Sequence, residues 1–185
     1  IFKLFPQYNY ILFEPQIEFY TNSINRFANK KNVKIYNFGL FSKNIKKTFY
    51  NNNKFKGLGS IYNREYEFLY GKKIHFQASK QIELKRFDNL GLNVNEINFL
   101  KIDVEGAELG VLEGFGKYLH NTILIQFEWG KTQLDSKTSF LDFWKYLSNF
   151  GFDIYRIHPS GIKKINEYST SLEHYMYSNI ICINK

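Results

Sequence analysis

The stretch FLKIDVEGAELGVLEGFG, Phe99 to Gly116, decides how the chain is read. Its first five residues have the apolar content of a buried strand, and a helix is expected over Ala107 to Leu119. Between the two stand Asp103, Val104, Glu105 and Gly106. A carboxylate is costly to bury unpaired, so something at the strand end must receive Asp103 and Glu105. One receiver is the N-terminus of the following helix, whose free N–H groups and dipole favour an anion by about 1 kcal/mol. The other is a ligand.

Working outward, the same alternation of apolar strand and helix recurs. Tyr10 to Phe13 is a short strand closed by Glu14-Pro15, and Ile17 to Asn29 carries Ile17, Tyr20, Ile24 and Phe27 at helical spacing. Val33 to Phe38 is a second strand ending at Gly39. The spacing predicts further strands at Asn98 to Asp103 and Thr122 to Glu128, and a helix over Ser139 to Asn149 with Phe140, Phe143, Trp144 and Leu147 on one face. Gly110, Gly114 and Gly116 weaken the Ala107 helix. Phe152 to Ile157 and Tyr177 to Ile183 finish as strands, expected to pair antiparallel at one edge because no helix separates them. Lys46 to Tyr50, the turn-rich NNNKFKGLGS, Lys73 to Phe76 and Gln81 to Phe87 read as a β-rich insert spanning 44–87. The expected fold is a single α/β domain over 1–185, a doubly wound parallel sheet with an antiparallel last strand.

Composition bounds the function. The 185 residues are 44% hydrophobic and 19% aromatic, with 19 Phe and 14 Tyr, enough for a sizeable core. No apolar run approaches the roughly 20 residues that span a bilayer. A single cysteine, Cys182, excludes an internal disulfide and suits a reducing, cytoplasmic setting. The formal charge of +8 raises nucleic acid as a partner. Its carriers are mostly scattered lysine pairs, Lys30-Lys31, Lys46-Lys47, Lys72-Lys73 and Lys163-Lys164, with only Arg26, Arg64, Arg86 and Arg156 to supply the guanidinium fork. Enrichment in Lys, Asn, Ile, Phe and Tyr is what A/T-rich codons produce, and no nucleic-acid partner is expected. His75, His120, His158 and His174 show no ligand spacing, so no metal site is expected either.

In sheets of this kind ligands bind beyond the carboxyl ends of the strands. Glu14, Gly39 to Ser42, Asp103, Glu128-Trp129 and His158 all follow strands and should share one rim. Glu14 suits the grip that an acidic residue makes on ribose hydroxyls; a solvated turn carboxylate is the alternative.

LKIDVEGAELGVLEGF closely resembles the signature block of the FkbM family of S-adenosylmethionine-dependent methyltransferases. FEP (Phe13 to Pro15), NFGLFS (Asn37 to Ser42), RFDNL (Arg86 to Leu90) and IQFEWG (Ile125 to Gly130) resemble, in order, that family's other strand-end segments. The resemblance implies a Rossmann-like methyltransferase fold and transfer of a methyl group to a hydroxyl on a sugar, glycan or other natural product. It also implies cofactor contacts at Glu14, Pro15, Leu40, Phe41, Ser42, Asp103 and Glu105. Asp103, Glu128 and His158 are the candidates for activating the acceptor hydroxyl. One departure stands out: no glycine precedes Gly39, so the family's first strand and glycine-rich loop are expected to be missing from this chain. Either the chain is a fragment, which its start at Ile1 favours, or the protein has lost its cofactor loop; the chain as given is expected to bind the cofactor weakly, to be poorly soluble and to give no methyl transfer. A nucleic-acid-binding or RNA-modifying domain, and a different nucleotide enzyme such as one using NAD, are the rival readings.

Overall fold

The structure, a computed structural model, describes residues 1–52, 56–64, 67–69 and 72–184. Residues 53–55, in the turn-rich run of the insert, lie outside the described residues. In chain order the regular elements are β1 (Tyr10–Phe13), α1 (Ile17–Arg26), β2 (Val33–Tyr36), β3 (Gly39–Leu40), β4 (Ile45–Asn51), β5 (Glu67–Leu69), β6 (Lys72–Ile74), β7 (Gln77–Lys85) and β8 (Ile97–Ile102). Then come α2 (Glu108–Phe115), β9 (Thr122–Trp129), α3 (Thr132–Ser136), α4 (Phe140–Asn149), β10 (Phe152–His158), β11 (Gly161–Ile165) and β12 (Ser178–Asn184).

The main layer is a five-stranded sheet in the order β11-β10-β12-β9-β8. β8 and β9 are parallel, whereas β12 runs antiparallel to both β9 and β10. The antiparallel pairing of the last strands is as expected from sequence. Their position is not: β12 inserts between β9 and β10, and the edge is taken by β11, which forms a hairpin with β10. β1 and β2 form a separate parallel pair, and β3-β7-β4 a three-stranded sheet that carries much of the insert.

Strand alternation sorts the main sheet into two faces. Ile102, Ile125, Phe127, Trp129, Ile154, Ile180 and Cys182 stand on one face and are almost fully buried. α2 covers it with Val111, Leu112 and Phe115, and α4 with Phe140, Phe143 and Leu147. Each such large side chain, fully buried, stabilises the fold by about 1.5–3 kcal/mol. α4 starts where it does because Ser139 and Asp142 form a reciprocal capping box, and Glu173 accepts the Phe140 and Leu141 N–H groups at 2.8 and 2.9 Å.

The glycines of α2 have a packing reason. A Cβ at Gly110 would meet the Phe41 ring, and one at Gly114 the Phe41 backbone carbonyl. Four residues apart, they form a notch on one helix face that receives the segment after β3. Gly116, with φ of 52°, ends the helix four residues before the expected Leu119, and a 3-10 turn continues to Asn121.

Candidate functional site

β8 and β9 lie side by side, with Ile102 opposite Phe127, so Asp103 and Glu128 fall on the same face at the same sheet end. Asp103 is exposed and its carboxylate accepts from Lys101 Nζ at 3.0 Å. Glu128 Oε1 accepts the Tyr177 hydroxyl at 2.8 Å, and Asn179 donates to that hydroxyl oxygen at 3.2 Å while accepting from Gln126 at 2.9 Å. The bond to Glu128, ahead of burial, holds the Tyr177 phenol above its ordinary pKa. A polar row of Lys101, Asp103, Gln126, Glu128, Asn179 and Tyr177 therefore runs across three strands at this end.

The loop after β8 is braced from beneath. Neither Asp103 nor Glu105 caps α2, whose N-cap Ala107 has no side-chain cap. Glu108 holds the loop itself. It is 1% exposed, and its carboxylate accepts the Gly106 N–H at 3.0 and 3.1 Å, the Val104 N–H at 3.3 Å and Gln133 Nε2 at 2.7 Å. Gln133 Oε1 in turn accepts the Gly130 N–H at 2.7 Å, so one buried pair ties the loops after β8 and β9 together. Burial pushes the Glu108 carboxyl up to about 7, against the hydrogen bonds that favour its charged form.

Glu105 sits in the left-handed region, φ 56°, and is clamped there from the insert. Arg64, 3% exposed, donates from Nη2 to the Glu105 carboxylate at 2.7 Å and its carbonyl at 2.9 Å, and Ser60 donates to the same carbonyl at 2.7 Å. Arg64 Nε also lies 3.7 Å from Asp135 on α3. Burial raises the Glu105 pKa, opposed by Arg64, and the charges of Asp103 and Glu128 reach it as well. The turn is tight: a Cβ on Gly106, φ 105°, would stand 2.6 Å from the Thr132 carbonyl oxygen.

The second group of expected residues gathers where β1 and β2 end. Glu14 is half-buried; its N–H donates to the Tyr36 carbonyl at 3.0 Å, and its own carbonyl accepts Asn37 Nδ2 at 2.9 Å. Its Oε1 accepts the Gln16 N–H at 2.7 Å at the start of α1, and burial raises its pKa against that bond and the charge of Lys80. Pro15 packs beside Gly39. Leu40 pairs with Lys85 of β7, Phe41 fills the α2 notch, and the Ser42 carbonyl accepts Arg86 Nη1 at 2.6 Å.

His158 is set apart. It pairs with Gly161 at the tip of the β10–β11 hairpin, two strands from β9, and alternation puts it on the Trp129 face rather than the Glu128 face. Sequence reasoning missed Glu108, Gln133, Arg64 and Tyr177. Glu108 was in plain view three residues after Glu105, whereas nothing local connects Arg64, 41 residues away, to the loop it clamps. Two of the four arginines are engaged inside the fold, Arg64 with Glu105 and Arg86 with Asp88 at 2.6 Å, which takes them from any phosphate-reading role. Among the described residues no group of His, Cys, Asp and Glu side chains could hold a metal ion, and no helix is long and apolar enough to cross a membrane.

Comparison with known proteins bears on this arrangement directly. Residues 3–154 match the model of the methyltransferase FkbM domain. The crystal structure of methyltransferase FkbM from Methylobacillus flagellatus KT has a similar fold, with a TM-score of 0.52 and 12% identity over 94% of this chain. The chain spans 36% of that protein's length. No curated protein matches the sequence. With its signature run crossing from β8 into α2 and the match covering most of its length, the chain belongs to the FkbM methyltransferase family.

Proposed function

We propose that this domain transfers a methyl group from S-adenosylmethionine to a hydroxyl of a sugar, glycan or other natural product. The observation that carries the reading is the FkbM domain match over residues 3–154, with Asp103 and Glu128 side by side beyond the ends of β8 and β9. The parallel pairs β1-β2 and β8-β9 support a Rossmann-like, doubly wound arrangement for the whole enzyme.

Glu14 fits the ribose. One carboxylate oxygen is held by the Gln16 N–H, which orients the group, and its half-buried setting suits charge-assisted bonds to two hydroxyls. Pro15 and Leu40 to Ser42 border the adenine side, while Asp103 and Glu105 flank the methionine end. The donor supplies an activated sulfonium methyl. The protein must align the acceptor oxygen in line with it and exclude water. An alcohol attacks poorly until its proton leaves, and Asp103 or Glu128 accepts that proton; the Tyr177 bond fixes Glu128 in orientation. The segment 44–87 shapes the acceptor side, Arg64 and Ser60 fastening it to the Glu105 loop. A cytoplasmic setting fits the buried free thiol of Cys182.

Calorimetric titration of S-adenosylmethionine into the full-length protein tests the reading. Saturable binding is expected, weakened at least tenfold in Glu14→Ala, because charge-assisted hydrogen bonds contribute about 1.5–3 kcal/mol. Equal affinity in variant and parent removes Glu14 from the site. Absence of binding in the parent removes the donor.

A further inference from the structure

Three side chains in one corner of the main sheet hold polar atoms that are shut from solvent and have no hydrogen-bond partner: Trp129 Nε1, Ser178 Oγ, and Arg156 Nε and Nη2. Strand register brings them together. Ser178 is the cross-strand partner of Trp129, and Arg156 is opposite Ile180, two residues along β12 from Ser178. All three therefore stand on one face of the sheet, with neighbouring positions about 5–8 Å apart. The Trp129 indole is fully buried and held by Tyr175, stacked at 5.1 Å, and by Phe140, edge-on at 5.1 Å.

Buried N–H groups are almost always satisfied, so several orphans in one corner point to a partner from outside the chain. The atoms say what kind. An indole N–H and a guanidinium only donate, and a serine hydroxyl donates or accepts, so the partner is an acceptor. Arg156 forms no ion pair among the described residues, and its fork matches the two oxygens of a carboxylate or phosphate. The surroundings are positive. Lys163 supplies that charge, facing Arg156 across the β10–β11 hairpin, while burial and then the Arg156 charge hold His174, whose Nδ1 accepts the Met176 N–H at 3.0 Å, below its ordinary pKa. Glu173 directs its oxygens to the Phe140 and Leu141 N–H groups and the Tyr168 hydroxyl rather than to Arg156.

We propose that the Trp129–Ser178–Arg156 corner is a binding site for an oxyanion, a carboxylate or phosphate group. The corner stands on the opposite face of the sheet from Glu128, so it is a site separate from the carboxylates that activate the acceptor hydroxyl.

The test uses inorganic phosphate and acetate, titrated into the full-length protein and followed by calorimetry and melting temperature, with no methyl donor present. Saturable millimolar binding of at least one anion is expected, with a matching rise in melting temperature. Arg156→Gln should weaken it at least tenfold while leaving the anion-free melting temperature within about two degrees, since Arg156 satisfies nothing in the fold. Trp129→Phe keeps an aromatic ring, smaller than the indole, and removes the N–H; several-fold weaker binding is expected there, and it serves should Arg156→Gln fail to fold. Phosphate preferred over acetate identifies a phosphorylated partner, the reverse a carboxylate. No saturable binding of either anion, or equal binding in both variants, overturns the site. Because the readout needs no methyl transfer, it is separable from failure of the methyltransferase reading.

Discussion

Replacing Glu108 by Gln tests the brace beneath the Asp103–Glu105 loop through the pH dependence of stability. The Glu108 carboxyl moves from an ordinary value of 4.5 to about 7 in the folded protein. A folded-state pKa raised above the unfolded value means the native protein holds a proton that the unfolded chain has released between those two limits. Stability from this group is therefore fully present below about pH 4.5 and is lost as pH rises to about 7, some 3 kcal/mol in all. Urea unfolding at intervals from pH 4.5 to 8 reads it. The parent should lose about 1.4 kcal/mol per pH unit more steeply than Glu108→Gln across that window, and the two should run parallel above it. The hydrogen-bond partners of the carboxylate, Gly106, Val104 and Gln133, are all donors and favour the charged form, while the Glu105 charge opposes it. If the two curves are parallel throughout, the donors outweigh burial, Glu108 is ionised in the native protein, and the desolvation argument fails.

Gly114→Ala and Gly110→Ala separate the two walls of the α2 notch. The first drives a methyl into the Phe41 backbone carbonyl and should lower the melting temperature by several degrees; the second meets a movable ring and gains helix propensity of about 1 kcal/mol, so its effect should be clearly smaller. Equal losses would mean the helix backbone, not Phe41, sets the need for glycine. Arg64→Met leaves Glu105 largely buried without its cation, a loss of about 3 kcal/mol in urea unfolding; a loss below about 1 kcal/mol would show the clamp to be solvent-screened.

The sheet was legible where a strand is apolar along its own length. INFLKI and TILIQFEW announce strands locally, and their ends place Asp103 and Glu128 at the same sheet end, although β8 lies at the sheet edge and of its residues only Ile102 is buried. β11 was not legible, because GIKKI is mostly exposed and becomes a strand only by pairing with β10. That hairpin moved the edge of the sheet outward and left β12 inside it. Glycines in α2 read as weak points, and only the tertiary fold reveals that Phe41 needs their missing side chains. The carboxylates of the signature run invited a choice between cap and ligand. The structure divides the tasks differently, with Glu108 bracing the loop, Glu105 paired to Arg64 and Asp103 left exposed.

The central claim is that the exposed Asp103 serves chemistry rather than folding. Labelled methyl transfer from S-adenosylmethionine to a panel of hydroxylated sugars, run with the full-length parent and Asp103→Asn, measures it most directly. The substitution keeps the side chain's shape and removes its charge. Turnover should fall at least tenfold, about 1.4 kcal/mol of transition-state stabilisation, with the melting temperature unchanged. Turnover equal to the parent's, or a loss matched by a fall in melting temperature, would contradict the claim.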